Sequence, residues 1–169
     1  MTKRKWVVFA IVVVILVLLD QGTKRWALET LERGMTQHAW GGALLLTLSF
    51  NRGAAFGLDL GPASRPLFIL LSVVVLIWLG TVYQRTPAGS RSRAAGVALV
   101  SGGAIGNLID RMLSGRGVVD FLGPYDLGIM VWPIFNLADC WVVAGIALLV
   151  LSMRSGHLTT GDLKADARS

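Results

Sequence analysis

Four apolar runs, each near the length of a membrane-crossing helix, constrain this chain more than any other feature. A helix needs about 20 mostly apolar residues to cross the hydrocarbon core of a bilayer. Runs of that kind cover about Trp6 to Trp26, Pro66 to Tyr83, Ala94 to Met112 and Trp132 to Met153. Only 15% of the 169 residues are charged, against about 25% in soluble domains, and the mean hydropathy is +0.64. The apolar residues come in blocks, not scattered. The expected fold class is therefore an α-helical membrane protein: four transmembrane helices in one domain over residues 1–169. The first run has the basic start and long apolar stretch of a secretory signal peptide. It is followed, however, by Asp20-Gln21-Gly22-Thr23-Lys24 instead of small residues suited to cleavage, and reads as a retained helix.

The connections carry more than turns. Residues 28–65 are too many for a simple link. Within them Ala43 to Phe50 partly alternates, with Leu44, Leu46, Leu48 and Phe50 on one side and Thr47 and Ser49 on the other. That is a strand signal, and Asn51-Arg52-Gly53 then supplies a turn. A second connection, residues 114–131, holds short β-like pieces around Val118-Val119 and Ile129-Met130-Val131. A small extracytoplasmic sheet at the membrane surface is expected over about 33–60 and 114–131, with a flexible cytoplasmic tail over 155–169. Lys3, Arg4, Lys5, Arg85, Arg91, Arg93, Arg154, Lys164 and Arg168 fall on one side of the spans. Cytoplasmic loops are the basic ones, so both termini are expected inside. The charge of +6 gathers at the ends of apolar runs. That suits lipid and topology better than nucleic acid, and no nucleic-acid partner is expected.

The remaining polar residues are few and placed at one level. Asp120 closes the apolar stretch Gly117-Val118-Val119, and Asp139 stands near the start of the last run. An ionised Asp at mid-bilayer costs about 2.5–3.5 kcal/mol, so two of them on separate segments are candidates for one shared site. Close carboxyls can share a proton and activate water. Asp20 with Lys24, Asn107 with Arg111, and Asn136 reach the same outer level from their own runs. Plainer readings exist for most of them: an interfacial ion pair for Asp20 and Lys24, a local pair for Asp110 and Arg111, a turn for Asn51 and a helix cap for Asn136. Asp120 and Asp139 leave catalysis and structure equally open. Cys140 has no histidine near it in sequence and reads as packing. One cysteine and two histidines offer no ligand cluster, so no zinc site is expected.

Five blocks together resemble the bacterial lipoprotein signal peptidases (signal peptidase II): residues 20–24, Asn51-Arg52-Gly53-Ala54-Ala55-Phe56-Gly57, residues 102–111, Val118-Val119-Asp120-Phe121 and Phe135-Asn136-Leu137-Ala138-Asp139. They run in order over about Trp6 to Met153. Cys140 stands where serine is expected in many relatives. The resemblance implies an aspartic endopeptidase of the bacterial inner membrane that removes signal peptides from diacylglyceryl-modified prolipoproteins, cutting before the lipidated cysteine. It puts the catalytic dyad on Asp120 and Asp139. Asp20, Lys24, Asn51, Gly53, Asn107, Arg111 and Asn136 become site-supporting residues. It implies no cofactor, membrane lipids as partners, and action as a monomer. The competing class is a small proton- or ion-coupled transporter with Asp20, Asp120 and Asp139 as carriers. A purely structural subunit is the third. Polar groups confined to one level argue against the former, and five separate polar blocks argue against the latter.

Overall fold

The structure, a computed structural model, describes residues 2–52 and 61–166. Four helices dominate: α1 (Thr2–Thr30), α2 (Ser64–Arg85), α3 (Arg91–Leu113) and α4 (Leu137–Asp166). Strands β1 (Thr36–Ala39) and β2 (Leu44–Asn51) lie between α1 and α2. Strands β3 (Val118–Leu122), β4 (Tyr125–Asp126) and β5 (Val131–Trp132) lie between α3 and α4.

The bundle is turned inside out relative to a soluble protein. Ile11, Val14 and Leu18 on α1, Leu70, Val74 and Ile77 on α2, and Val143, Ile146 and Val150 on α4 are all exposed. Each trio follows helical spacing and so forms one outward apolar face. Water does not favour such a surface, whereas lipid does. By length and apolar content, residues 3–30 and 64–85 are each sufficient to cross a membrane, and Leu137–Met153 adds a shorter apolar helix. The exception in composition is α3, with its glycines, Ser101, Asn107 and Asp110. It packs against each of the other three helices, so its neighbours are protein, not lipid. Gly103 and Gly106 make that possible. A Cβ on Gly103 would strike the Ala138 carbonyl of α4, and one on Gly106 would stand 2.5 Å from Asp20 Oδ2 of α1.

Long-range hydrogen bonds fix which helix ends meet. At one end Lys5 Nζ donates to the carbonyls of Tyr83 (2.7 Å) and Thr86 (2.5 Å), which caps α2 where Pro87 stops it. At the other end Lys24 of α1 meets Asn107 of α3, and Ala138 of α4 meets Asp20. Lys5 and Lys24 are 19 residues apart, or about 28 Å along a helix, close to the ~30 Å of a hydrocarbon core. No Asp, Glu, Lys, Arg or His occurs in residues 6–19, 66–84, 94–109 or 140–153.

Strands β1, β2 and β3 form an antiparallel sheet in that order, and β4 pairs with β5 in a separate two-stranded ribbon. Leu46, Leu48, Val119 and Phe121 close over Ala27 of α1 and Leu31 just beyond it, with Leu44 and Phe50 packed against them. The sheet thus sits on the C-terminal end of α1. Gly117 (φ +103°) immediately precedes β3. A side chain there would collide with the Asn51 backbone, so only glycine lets β3 lie against β2. Two sequence boundaries shift. The last helix starts at Leu137, not near Trp132, because Val131–Trp132 pair in β5, Pro133 follows, and Asn136 caps the helix. Ile129 and Met130 form the bend of that ribbon, not a strand. At the far end, α4 continues beyond Ser155 to Asp166, through residues expected as a tail.

Candidate active site

Alternation along β3 aims the first carboxylate. Val119 and Phe121 enter the apolar cluster, so Asp120 between them projects from the opposite face, toward the start of α4. A register shift in β2 between Leu46 and Ser49 sets Ser49 opposite Asp120. An extra residue of this kind bends a strand and re-aims its side chains.

The second carboxylate is placed by a helix cap. Asn136 Oδ1 accepts the Asp139 N–H (3.1 Å), and Asp139 Oδ2 accepts the Asn136 N–H (3.2 Å). This is a reciprocal capping box at the first turn of α4. The same Asn136 reaches Asp120: its Nδ2 lies 2.6 Å from Asp120 Oδ1, 3.1 Å from Asn107 Oδ1 and 3.3 Å from the Val119 carbonyl. One residue therefore binds both carboxylates and is itself fully buried. Asn107 completes the link by donating from Nδ2 to Asp139 Oδ1 at 2.8 Å.

Behind this layer lies an ionic cluster. Lys24 Nζ contacts Asp20 Oδ2 (2.8 Å), Asp110 Oδ2 (3.0 Å) and Asn107 Oδ1 (2.9 Å). An ammonium has three protons, and three acceptors surround this one. Asp20 Oδ1 accepts the Ala138 N–H (2.9 Å), and Asp110 Oδ2 accepts the Val119 N–H (3.0 Å). The cluster thereby ties α1 and α3 to the backbone beside each dyad residue. Asp110 pairs with Lys24, not with its neighbour Arg111 as the local reading expects. Adjacent residues on a helix point about 100° apart and do not face each other, and that rule would have found the error from sequence. Gln21 is a member the sequence reading missed. Its Nε2 donates to Asp20 Oδ2, the Gly106 carbonyl and Asp110 Oδ1.

A cleft of about 590 Å³ opens on the dyad. Asn51, Asp120, Trp132, Phe135, Asp139 and Cys140 line its mouth, and Val143, Ala144 and Ala147 carry it along α4. Asn51 bonds Asp120 through its side chain and also borders a second cavity of about 400 Å³ with Arg52, Arg65 and Arg111. Arg111 thus stands beside the dyad cleft, not in it. Arg65 Nε donates to the Arg111 carbonyl at 2.7 Å and holds the end of α3. Asp20, Lys24 and Asn107 stand behind the cleft wall. Gly53 lies outside the described residues.

A sequence model of the family described as Signal peptidase (SPase) II matches residues 12–154. The chain belongs to the signal peptidase II family. It is 43% identical over 141 residues to the lipoprotein signal peptidase of Halothermothrix orenii, covering 83% of this chain and 91% of that one. With the lipoprotein signal peptidase of Syntrophomonas wolfei it shares 40% identity over 154 residues, 90% and 95% of the two chains. In three dimensions it is similar to a bacterial membrane enzyme solved at 2.3 Å by the in meso method, with a TM-score of 0.77, 28% identity and 88% of each chain covered. As a signal peptidase II family member the chain is a membrane protease, and its carboxylate cleft is the candidate site for peptide hydrolysis.

The two carboxyls of this peptidase cleft are not equivalent. Burial, and then the charge of Asp139, push Asp120 up from the ordinary value of 3.8 to about 7. Asp139 accepts two N–H bonds at the first turn of α4.

Proposed function

We propose that the chain removes signal peptides from diacylglyceryl-modified prolipoproteins, with Asp120 and Asp139 as the catalytic dyad. The observation that carries this is Asn136 binding both carboxylates at the mouth of one cleft. Water bound between them loses a proton to Asp139 as its oxygen attacks the scissile carbonyl. Asp120 donates its proton to the carbonyl oxygen; as the C–N bond breaks, Asp139 passes the water's proton to the leaving nitrogen and the tetrahedral diol returns a proton to Asp120. Asn51 and Arg111 orient the substrate backbone from the cavity next to the dyad. Asp20, Lys24, Asn107 and Asn136 hold the dyad in place. The apolar extension of the cleft along Val143, Ala144 and Ala147 suits a chain segment or acyl group arriving from the bilayer. The ion-coupled transporter finds no support, since ionisable residues are missing from the middle of every helix.

We also assign the site to the outer face of the bacterial inner membrane, with both termini cytoplasmic and the protein acting as a monomer. Charge supports the orientation. The segments at the Lys5 end carry nine Lys and Arg against two Asp, while those at the dyad end carry seven against eight acids.

The test is cleavage of one precursor with and without its diacylglyceryl group by purified enzyme in bilayers. The lipid-modified form is expected to be cut far faster, at least a hundredfold, because each buried methylene adds about 0.8 kcal/mol to capture. Equal rates would sink the substrate assignment. The state of Asp120 also sets a pH profile. Turnover is expected to hold below about pH 7 and to fall toward tenfold per unit above it, as Asp120 loses its proton. Stability has the same sign. Between the ordinary carboxyl value and about 7 the folded protein holds a proton that the unfolded chain releases, so stability falls as pH rises through that window. A rate that climbs steadily from pH 6 to 9 would contradict the assignment of Asp120 as the proton donor.

A further inference from the structure

Another cavity lies at the opposite end of the bundle from the dyad. It measures about 730 Å³ and is bordered by Arg4, Lys5 and Val8 of α1, Tyr83 of α2, and Arg91 and Ala94 of α3. We propose that this cleft binds an anionic glycerophospholipid of the leaflet on that side. The proposed orientation decides only which leaflet that is.

Two independent features point to the headgroup, and neither is Lys5. Lys5 is occupied, because its ammonium caps α2, and it stacks 4.5 Å over the Tyr83 ring. Arg4 and Arg91 are exposed, and neither belongs to an ion pair among the described residues. Residues 2–19 and 84–109 contain no acid, and the last sixteen residues of the chain offer two Asp against three bases. The rim is therefore cationic and, among the described residues, uncompensated. In addition, α3 begins here without an acid in its first turn, and Ser90 makes no side-chain cap. The positive end of a 23-residue helix faces the cleft with no anion supplied by the described residues. Guanidinium groups pair with phosphate through parallel N–H bonds.

The floor points to a lipid in preference to a soluble phosphate. Val8 is more than half exposed, Ala94 is partly buried, and the Tyr83 ring completes an apolar wall below the arginines. A basic pocket between helix ends, opening onto apolar surface, matches an anionic headgroup with its acyl chains beside the helices.

The experiment uses the full-length protein without substrate, so failure here leaves the peptidase reading untouched. Binding of phosphatidylglycerol, phosphatidylcholine and inorganic phosphate is measured by native mass spectrometry and by thermal shift in a neutral detergent. Wild type is expected to retain one phosphatidylglycerol tightly and to melt several degrees higher with it, and to show neither effect with phosphatidylcholine or phosphate. Arg4→Gln with Arg91→Gln is expected to weaken phosphatidylglycerol binding at least tenfold. Arg85→Gln with Arg93→Gln removes the same charge at the same end but outside the cleft, and is expected to keep binding within threefold. Equal weakening in both double variants would reduce the effect to general surface charge and overturn the site. Equal protection by phosphate or by phosphatidylcholine would overturn the lipid.

Discussion

Asp120→Asn is expected to lower precursor cleavage by about 10²–10⁴-fold, the contribution of a positioned acid–base group, with the protein still folded. An amide oxygen can accept the bond that Asn136 Nδ2 gives to Asp120 Oδ1, so the variant keeps its local structure and loses the transferable proton. Asp139→Asn is expected to match that loss of turnover and to melt lower as well. The two Asp139 oxygens serve different donors, Oδ1 the Asn107 amide and Oδ2 the Asn136 N–H. An amide has one oxygen, so one buried donor goes unpaired, at a cost of about 1–3 kcal/mol. Turnover on lipid-modified precursor and melting in the same detergent separate the two effects. Near-normal turnover by either pure variant would remove the dyad.

Lys24→Met is expected to destabilise the fold by about 3–5 kcal/mol, the usual result of removing one partner from a buried ion pair. Lys24 is 2% exposed and Asp20 is fully buried. Without the ammonium, Asp20 and Asp110 are left as neighbouring buried carboxylates. Asn107 then loses the contact that orients its amide toward Asp139, so cleavage is expected to fall too, although Lys24 does not line the cleft. Exposed Arg25, paired with Glu29 on the same helix, is the control. Arg25→Met is expected to change stability by less than about 1 kcal/mol. Equal melting of the Lys24 and Arg25 variants would show that the buried cluster does not hold the helices together.

Sequence revealed the membrane fold readily because lipid imposes a length and an apolar content on each span, and both are written locally. Asp120 and Asp139 stood out for the same reason, as acids where acids are costly. What remained hidden depends on contacts between distant segments. Nothing near Asn136 says that its side chain reaches a strand sixteen residues earlier, nor does Asp110 announce a lysine on the first helix. Hydropathy also cannot separate an apolar ribbon from an apolar helix, so Trp132 to Phe135 read as part of the last span. Pro133 and the capping Asn136 were the better guides. The polar strand β1 gave no alternation to see, and its place comes from pairing with β2, as between the hydroxyls of Thr36 and Thr47.

The Asp20–Lys24 contact has a consequence for how the protein is made. It spans one turn of a single helix, so it needs no tertiary partner and forms as soon as α1 does. Helix α1, made before α3, thus enters the bilayer with its acid and base already neutralising one another. Asp110 arrives later on α3 beside Arg111, which forms no ion pair with it, and meets its ion-pair partner in Lys24. Newly inserted α1 therefore serves as the receptor for α3. A nascent chain that lost Lys24 would face its defect during biogenesis, when α3 seeks a partner in the membrane, well before any precursor reaches the finished enzyme.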